Sequence, residues 1–288
     1  MTTLPLPGAG AFKMAVSAPG AGPHFWAGAP SAIELEDGSF AMAYRVRRGY
    51  GVDEVVLATS PDGVEFTTIV TLSSGLRGAA MTERPSLLRL ASGRWRLYIC
   101  DLPQGAEAWS VLAAEADQLV DFADAEFAVA IAGDDRYTVK DPVVSFDGYQ
   151  WQAWLCLHLR DTPGEDDRMV TGISSSLGGW KWSEPTVVLR GEPDTWNQRG
   201  ARMTGFLPDG RITFDGRANK EENWFERTGI AEPVGDGTYR PVGEAVSTAR
   251  YLNVVPLRNG DFRIFYEQVL EDESHELRTE YVPSAVNN

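Results

Sequence analysis

A five-fold repeat constrains the fold of this chain more than any other feature of its sequence. Each copy contains an apolar run, a turn that ends in glycine, and a second run rich in aromatic and β-branched residues. The copies occupy residues 30–44, 85–99, 141–155, 203–214 and 252–266. Their turn glycines follow one another at intervals of 55, 55, 62 and 50 residues. A period of this length is typical of propellers and other repeat architectures.

Each copy is predicted to be a β-hairpin, because its turn dipeptide tolerates the positive φ of a tight turn. The dipeptides are Asp37-Gly38, Ser92-Gly93, Asp147-Gly148, Asp209-Gly210 and Asn259-Gly260. The runs that follow them have the length and residue types of strands. Further short strands are expected between the hairpins, at residues 54–58 and 170–173 for example, and no long stretch has helical periodicity.

The repeat predicts an all-β fold, a single five-bladed β-propeller with about four antiparallel strands per blade. The blades are expected at residues 24–78, 79–134, 135–195, 196–246 and 247–288, within one domain over residues 1–288 whose N-terminal segment closes the ring. A two-sheet sandwich is the alternative architecture. Residues 60–66 and 176–182 are expected to form tight turns whose aromatic residue packs between blades.

Composition limits the partners and the compartment. Of the 288 residues 43% are hydrophobic, enough for a large core, and the net charge of −15 opposes binding to nucleic acid or to an anionic membrane. No apolar run approaches the ~20 residues of a membrane-spanning helix, and residues 1–22 lack the pattern of a signal peptide. A cytoplasmic protein is expected, with Cys100 and Cys156 as reduced, structural thiols. The oligomeric state is left open.

The topology of a propeller brings the start of each first strand and the end of each second strand to one face. Polar residues at these places should therefore surround the axis. The carboxylates expected to be catalytic are Glu83, Asp141, Asp215 and Glu267. The residues expected to bind substrate are Trp26, Arg45, Arg84, Asp101, Lys140, His158, Arg202, Arg217, Trp224 and Tyr251.

Hydrolysis of a glycosidic bond needs a carboxylic acid to protonate the leaving oxygen and a carboxylate to activate water or attack carbon. Glu83 with either Asp215 or Glu267 is expected to supply this pair. Asp141 would hold sugar hydroxyls and raise the pKa of a neighbouring acid by repulsion. Structural roles are the alternatives: a loop cap for Asp141, a rim ion pair for Glu83 and an Asp-Gly turn for Asp215.

Several motifs resemble the five-bladed propeller glycosidases and phosphorylases of glycoside hydrolase families 43, 32, 62 and 130. Residues 40–66, with Ala-Tyr-Arg-Val at 43–46 and Val-Leu-Ala-Thr-Ser at 56–60, look like the first blade of family 130 mannoside phosphorylases. Lys140-Asp141-Pro142 is similar to the Asp-Pro motif of families 32 and 43. That resemblance implies that Asp141 orients sugar hydroxyls or tunes the acid.

The chain departs from these families at three places. Gly28-Ala29-Pro30 and Gly200-Ala201-Arg202 stand where families 43 and 32 usually carry acids in the first and fourth blades. Glu83-Arg84-Pro85 differs from the Asp-Pro-Arg-like motif of family 130. The motifs therefore assign no single family.

The sequence predicts a glycoside hydrolase acting on a small oligosaccharide or glycosylated metabolite. The first alternative is a glycoside phosphorylase with Arg84, Lys140, Arg202 and Arg217 as its phosphate pocket. The second is a non-catalytic sugar-binding propeller or a lyase-like enzyme. The sequence has no phosphate loop, dinucleotide fingerprint, nucleophile elbow or zinc spacing, so no cofactor is expected. Oxygen ligands in the funnel would suit one axial calcium ion.

Overall fold

The computed structural model describes residues 3–51 and 53–284, and within them the fold is all-β, with 53% strand and 3% helix. The ends of the predicted domain, residues 1–2 and 285–288, lie outside the described residues. None of the helices in the described part is long and apolar enough to cross a membrane.

The strands in the described ranges are β1 (Lys13–Val16), β2 (Phe25–Glu34), β3 (Phe40–Arg48), β4 (Asp53–Ser60), β5 (Thr67–Ser73), β6 (Ala79–Arg89), β7 (Trp95–Pro103), β8 (Ser110–Ala116), β9 (Ala128–Ala132), β10 (Tyr137–Phe146), β11 (Trp151–Leu159), β12 (Met169–Ser176), β13 (Thr186–Leu189), β14 (Gly200–Phe206), β15 (Ile212–Arg217), β16 (Arg227–Pro233), β17 (Tyr239–Ser247), β18 (Arg250–Pro256), β19 (Phe262–Val269) and β20 (His275–Val282). Short 3-10 turns cover Gly75–Arg77 and Leu119–Ala123.

The predicted hairpins are confirmed. Strand β2 pairs with β3, β6 with β7, β10 with β11, β14 with β15 and β18 with β19, all antiparallel. The turn glycines at positions 38, 93, 148, 210 and 260 have φ between 81° and 97°. A Cβ atom strains the backbone in this region, so glycine is the residue that closes these turns without cost.

Pairing continues outward from each hairpin into groups of four antiparallel strands. The groups are β2–β5, β6–β9, β10–β13 and β14–β17, and a last group in which β1 joins β18–β20. The N-terminal strand β1 thus extends the sheet formed by the last strands of the chain. Isolated parallel pairs, Trp26 with His275 and Met169 with Gly200, link neighbouring groups.

The first strands of the groups lie next to one another and carry a bulge near their starts. Strand β2 contacts β6, β6 contacts β10, β10 contacts β14, β14 contacts β18, and β18 contacts β2. The pairing register with the hairpin partner shifts at one point in β2, β10, β14 and β18 and at two points in β6. At three of these shifts a residue other than glycine, Ala29, Asp141 or Tyr251, has φ of 52°. Because a bulge bends the strand and redirects side chains, it turns the residues at these starts towards the centre.

Apolar layers between adjacent groups form the core. Leu57 of β4 and Leu97 of β7 belong to one layer, and Phe40 and Phe265 to another. The two predicted tight turns are confirmed as packing devices: the ring of Phe66 lies 5.8 Å from that of Phe265, and the ring of Trp182 lies 6.0 Å from that of Tyr98. Both cysteines are buried free thiols, as expected.

Glu280 of β20 ties the N-terminal segment to the last group, and its loss should destabilise the fold. Its buried carboxylate accepts hydrogen bonds from the backbone N–H groups of Gly8 and Gly10, at 2.9 and 2.8 Å, and from the Tyr266 hydroxyl at 2.7 Å. We expect Glu280→Ala to lower the free energy of unfolding by about 2–4 kcal/mol, because these donors lose their acceptor. Chemical denaturation measures the loss. The exposed Glu244→Ala is the control, and equal losses in the two variants would contradict the expectation.

Candidate active site

The starts and ends of the central strands bring most of the predicted site residues into one buried charged network. We use the name "charged network" for these predicted residues together with the charged side chains that form ion pairs with them. Its predicted members are Glu83, Asp141, Asp215, Glu267, Arg45, Lys140, Arg202, Arg217 and Tyr251. They come from strands that are far apart in sequence and close in space, as the topological argument requires.

Arg45 joins two of the predicted catalytic acids. Its Nη2 donates to Glu267 at 3.0 Å and its Nη1 is paired with Glu83. Arg47, itself paired with Asp53 at 2.6 Å, also reaches Glu83 at 3.3 Å. Burial acts to raise the pKa of both glutamates, but the neighbouring cations outweigh it and hold both pKa values well below the ordinary range. Both acids are therefore ionised.

Arg202 joins the other two predicted catalytic acids. It donates to Asp141 at 3.0 Å through Nη1 and to Asp215 at 2.9 Å through Nη2, and Nη1 also lies 2.9 Å from the Tyr251 hydroxyl. The backbone N–H of Tyr251 donates to Asp215 at 2.8 Å. Burial raises the pKa of Asp215, so desolvation is the cause rather than the expected repulsion from Asp141.

Glu226, which the sequence analysis did not select, connects the remaining cations. It accepts from Arg217 at 2.5 Å and lies 3.2 Å from Nε of Arg250, which in turn lies 3.9 Å from Glu267. Burial opposes its ionisation, but the arginines outweigh burial and lower the pKa of Glu226 to about 2. Glu226 lies in the segment 215–229, which is so rich in charged residues that composition alone does not separate a buried acid from solvated ones.

Glu267 fills the space in front of Gly28. A Cβ atom added to Gly28 would lie 1.9 Å from Oε2 of Glu267. The first group was noted for lacking an acid at positions 28–30, and the structure shows a carboxylate from β19 of the last group in that place. Glycine at position 28 is the residue that leaves room for it.

An aromatic pocket of about 400 Å³ opens beside the charged network. Trp26 stacks on His275 with 4.9 Å between ring centroids and covers the guanidinium groups of Arg45 and Arg47 at 5.3 and 4.9 Å. Trp224, 40% exposed, lies 5.7 Å from Trp26. Indole faces beside polar groups suit the apolar C–H face of a sugar ring.

His275 is the second site residue that the sequence analysis missed. Its Nδ1 lies 2.5 Å from Oε1 of Glu267, and its ring lines the aromatic pocket. Burial lowers the pKa of His275, so the ring is neutral at pH 7. Since the Glu267 carboxylate accepts, Nδ1 carries the hydrogen and Nε2 is the basic nitrogen. The topological argument considered the first and second strands of each blade, whereas His275 begins a third strand.

The side chains of three predicted residues form no hydrogen bond or ion pair with the charged network among the described residues, although the Arg84 guanidinium lies 5.9 Å from the centroid of the Tyr251 ring. Asp101 pairs with Arg77 at 2.9 Å. His158 bonds to the backbone oxygen of Asp166 at 3.0 Å, and burial lowers its pKa to about 3. The guanidinium of Arg84 bonds only to backbone carbonyl oxygens, and Arg84 lines a different cavity. None of the three is within direct hydrogen-bonding reach of a network carboxylate through its side chain in the described part of the chain.

Among residues 3–51 and 53–284, no group of three or more His, Cys, Asp and Glu side chains is arranged to hold a metal ion. The axial calcium ion stays a prediction.

No protein-family model matches the sequence, and no curated protein matches it significantly. The structure, by contrast, is similar to many solved structures. A sucrose-6-phosphate hydrolase from Lactobacillus gasseri has a TM-score of 0.67 and 10% identity, covers 96% of this chain and is covered over 61% of its own length. An α-L-arabinanase from Penicillium chrysogenum in complex with arabinobiose has a TM-score of 0.59 and 10% identity, with 98% and 99% of the two chains covered.

A third similar structure comes from work on glycoside hydrolase family 130. This family of mannoside phosphorylases also contains glycoside hydrolases that target β-1,2-mannosidic linkages. The TM-score of this structure is 0.60 and its identity 12%, with 96% and 95% of the two chains covered. These neighbours are propeller glycosidases and phosphorylases, which confirms the resemblance that the motifs indicated. Identity this low establishes the fold alone and assigns no single family.

The ionised state of Glu226 predicts a pH dependence of stability. The pKa of Glu226 is lowered from 4.5 to about 2, so its contribution to stability is present above pH 4.5 and is lost as pH falls towards 2. We expect Glu226→Gln to take up one proton fewer on unfolding, which makes the fall in stability shallower by at most about 1.4 kcal/mol per pH unit. Denaturation curves at several pH values in this window measure it. An unchanged slope in Glu226→Gln, or the same change in the exposed Glu244→Gln, would contradict the expectation.

Proposed function

We propose that the protein is a glycoside hydrolase built on a five-bladed propeller, with the charged network and the aromatic pocket as its active site. The observation that carries the proposal is the convergence of four carboxylates and two bridging arginines at one end of the central strands, where the indole of Trp26 covers Arg45 and borders the aromatic pocket. The contacts that run from β2 through β6, β10, β14 and β18 back to β2 support five blades. The propeller glycosidases among the structural neighbours support the reaction class.

The charge states suggest a division of roles. Glu83, ionised and the most exposed of the four acids at 7%, suits the carboxylate that activates water. Asp215, whose pKa is raised, suits the acid that protonates the leaving oxygen. In that step the glycosidic C–O bond breaks, the leaving oxygen takes the proton of Asp215, and water gives its oxygen to the sugar carbon and a proton to Glu83. Because Asp215 is fully buried and paired with Arg202, the substrate has to displace this guanidinium to reach it.

The other two acids have supporting roles in this proposal. Asp141, bonded to Arg202 and to the backbone N–H of Arg84, would orient sugar hydroxyls, as the resemblance to families 32 and 43 implies. Glu267 occupies the space in front of Gly28, and we assign it the place of the missing acid of the first blade. A pocket of about 400 Å³ walled by Trp26 and Trp224 fits a small glycoside.

Phosphorolysis is the weaker alternative because three of the four cations proposed for phosphate already pair with carboxylates, and the fourth, Arg84, donates to backbone oxygens and lines a different cavity. Arg202 binds two carboxylates, Arg217 binds Glu226, and Lys140 lies 3.9 Å from Glu83. A phosphate ion would have to compete with these acids for the same donors.

Amide substitutions at the proposed acid and base should abolish turnover. We expect Glu83→Gln and Asp215→Asn each to lower kcat at least 100-fold, since proton transfer by a positioned carboxyl contributes about 10²–10⁴-fold. Release of product from a panel of aryl furanosides, pyranosides and oligosaccharides, with and without inorganic phosphate, measures the effect. Strict dependence on phosphate would identify a phosphorylase instead.

The matched control is Glu115→Gln, which breaks a carboxylate–arginine pair on the outer strand β8. Its activity should stay within twofold of wild type. Thermal melts show whether each variant is folded. Full activity in folded Glu83→Gln and Asp215→Asn would overturn the assignment, and no turnover of any glycoside by the folded wild type would overturn hydrolysis.

The Glu267–His275 pair favours a second candidate, a lyase-like enzyme that cleaves a uronate-containing oligosaccharide by elimination. Neutral His275, held by Glu267, is a base that lines the pocket. In elimination Nε2 of His275 would take the proton next to the sugar carboxylate, a carbon–carbon double bond would form, and the glycosidic oxygen would leave with its electron pair.

Elimination predicts its own pH profile. A base with a pKa lowered from 6.5 keeps its activity as pH falls below that value, and loses it only when the ring becomes protonated. We expect the ultraviolet absorbance of unsaturated product to appear with uronate oligosaccharides, and His275→Gln to reduce its rate at least 100-fold. If wild type gives no unsaturated product, or if His275→Gln gives it at the wild-type rate, this candidate is wrong.

A further inference from the structure

A second cavity lies at the opposite end of the central strands from the charged network. Its volume is about 420 Å³, and it is lined by the later parts of β2, β6 and β10 with single residues of β14 and β18. We call it the turn-end cavity, because these strand parts lead to the hairpin turns. Its polar and charged lining residues are Ser31, Glu34, Arg84, Ser86, Arg89, Ser145 and Asn253.

Three of these side chains connect neighbouring central strands through their oxygen atoms. Ser31 of β2 accepts from the backbone N–H of Leu87 in β6 at 2.9 Å. Ser86 of β6 accepts from the N–H of Val144 in β10 at 3.2 Å, and Asn253 of β18 accepts through Oδ1 from an N–H of β2 at 2.8 Å.

These three hydrogen bonds determine which polar groups of the side chains remain free to bind a ligand. Because the backbone donors determine the orientation of the Asn253 amide, its NH₂ group is on the other side of the side chain. The hydroxyl hydrogens of Ser31 and Ser86 and the NH₂ group of Asn253 donate to no residue in ranges 3–51 and 53–284. Each of the three side chains therefore retains an uncommitted donor.

Arg84 adds a positive charge to the wall of the turn-end cavity. It is 2% exposed, and its Nη2 donates to the backbone oxygens of Thr204 and Pro30 at 3.0 and 3.4 Å. Its Nε and Nη1 have no hydrogen-bond partner among the described residues. Asp141 and Asp215 act on its charge, but both are already paired with Arg202. A buried guanidinium without its own counter-ion has lost its hydration without compensation, which favours an anion beside it.

We propose that the turn-end cavity binds a small oxyanion of the phosphate or carboxylate type, with Arg84 as its counter-charge and Ser31, Ser86 and Asn253 as donors. An oxyanion accepts several hydrogen bonds at once and matches the donors of Arg84, Ser31, Ser86 and Asn253. The Glu34 carboxylate, which also lines the cavity, accepts from the backbone N–H of Arg258 at 2.8 Å. The site is separate from the active site, and it does not depend on the proposed function.

The test uses a substitution that keeps the strand connection and adds a negative charge. Asn253→Asp retains an oxygen for the N–H group of β2 but replaces the donor NH₂ group by a carboxylate oxygen. We expect it to weaken binding of inorganic phosphate, measured by calorimetry at constant ionic strength, at least tenfold. The matched control is Asn259→Asp, which adds the same charge on an exposed turn at the same end. It should bind phosphate as wild type does.

A second variant keeps the proposal testable if Asn253→Asp does not fold. Ser145→Asp places a carboxylate on the cavity wall at a side chain that lines it, and should weaken phosphate binding in the same way. Titrations with citrate and acetate, under the same conditions, show whether the site prefers phosphate or carboxylate oxygens.

Three results would overturn the proposal. One is that none of these anions binds to the wild-type protein at millimolar concentration. Another is that phosphate binds equally well to wild type and to either folded cavity variant. The third is that Lys140→Met, at the other end of the strands, removes phosphate binding while the cavity variants keep it, which would place the anion in the active site.

Discussion

Two buried guanidinium groups, Arg45 and Arg202, each hold two carboxylates, and the charged end of this molecule depends on that arrangement. Four acids with exposures of 7% or less could not remain ionised together in an apolar centre, because each would lose its hydration and repel the others. Paired as they are, Glu83 and Glu267 stay ionised. The same pairing places four carboxyl groups beside one another, which is the chemistry that cleavage of a glycoside needs.

The backbone makes this arrangement possible by local irregularity. The register shifts near the starts of the central strands turn Asp141 and Tyr251 out of the regular alternation, at a φ that favours glycine. Gly28 leaves the space that Glu267 fills. Strain and small residues thus occur where the side chains have to converge, while regular pairing and apolar layers between the groups hold the rest of the fold.

The two ends of the central strands differ in chemistry although the same strands build them. At one end carboxylates and cations nearly balance beneath a wall of indole rings. At the other end, serine and asparagine oxygens accept backbone N–H groups between strands and leave donors facing a cavity beside Arg84. In a protein of net charge −15, a buried arginine without its own acid is a local exception that favours an anionic ligand.

The hairpins, their turn glycines and the two Ser-containing tight turns follow from the sequence, because each depends on residues that are neighbours in the chain. The gathering of Glu83, Asp141, Asp215 and Glu267 at one end also follows, since the order of strands fixes it. Packing between groups determined the features that the sequence did not predict: that Glu226 is buried among arginines, that His275 contacts Glu267, and that Arg84 lines the opposite cavity. Burial and charge, which exist only in the folded chain, also decided that Asp215 and not Glu83 has a raised pKa.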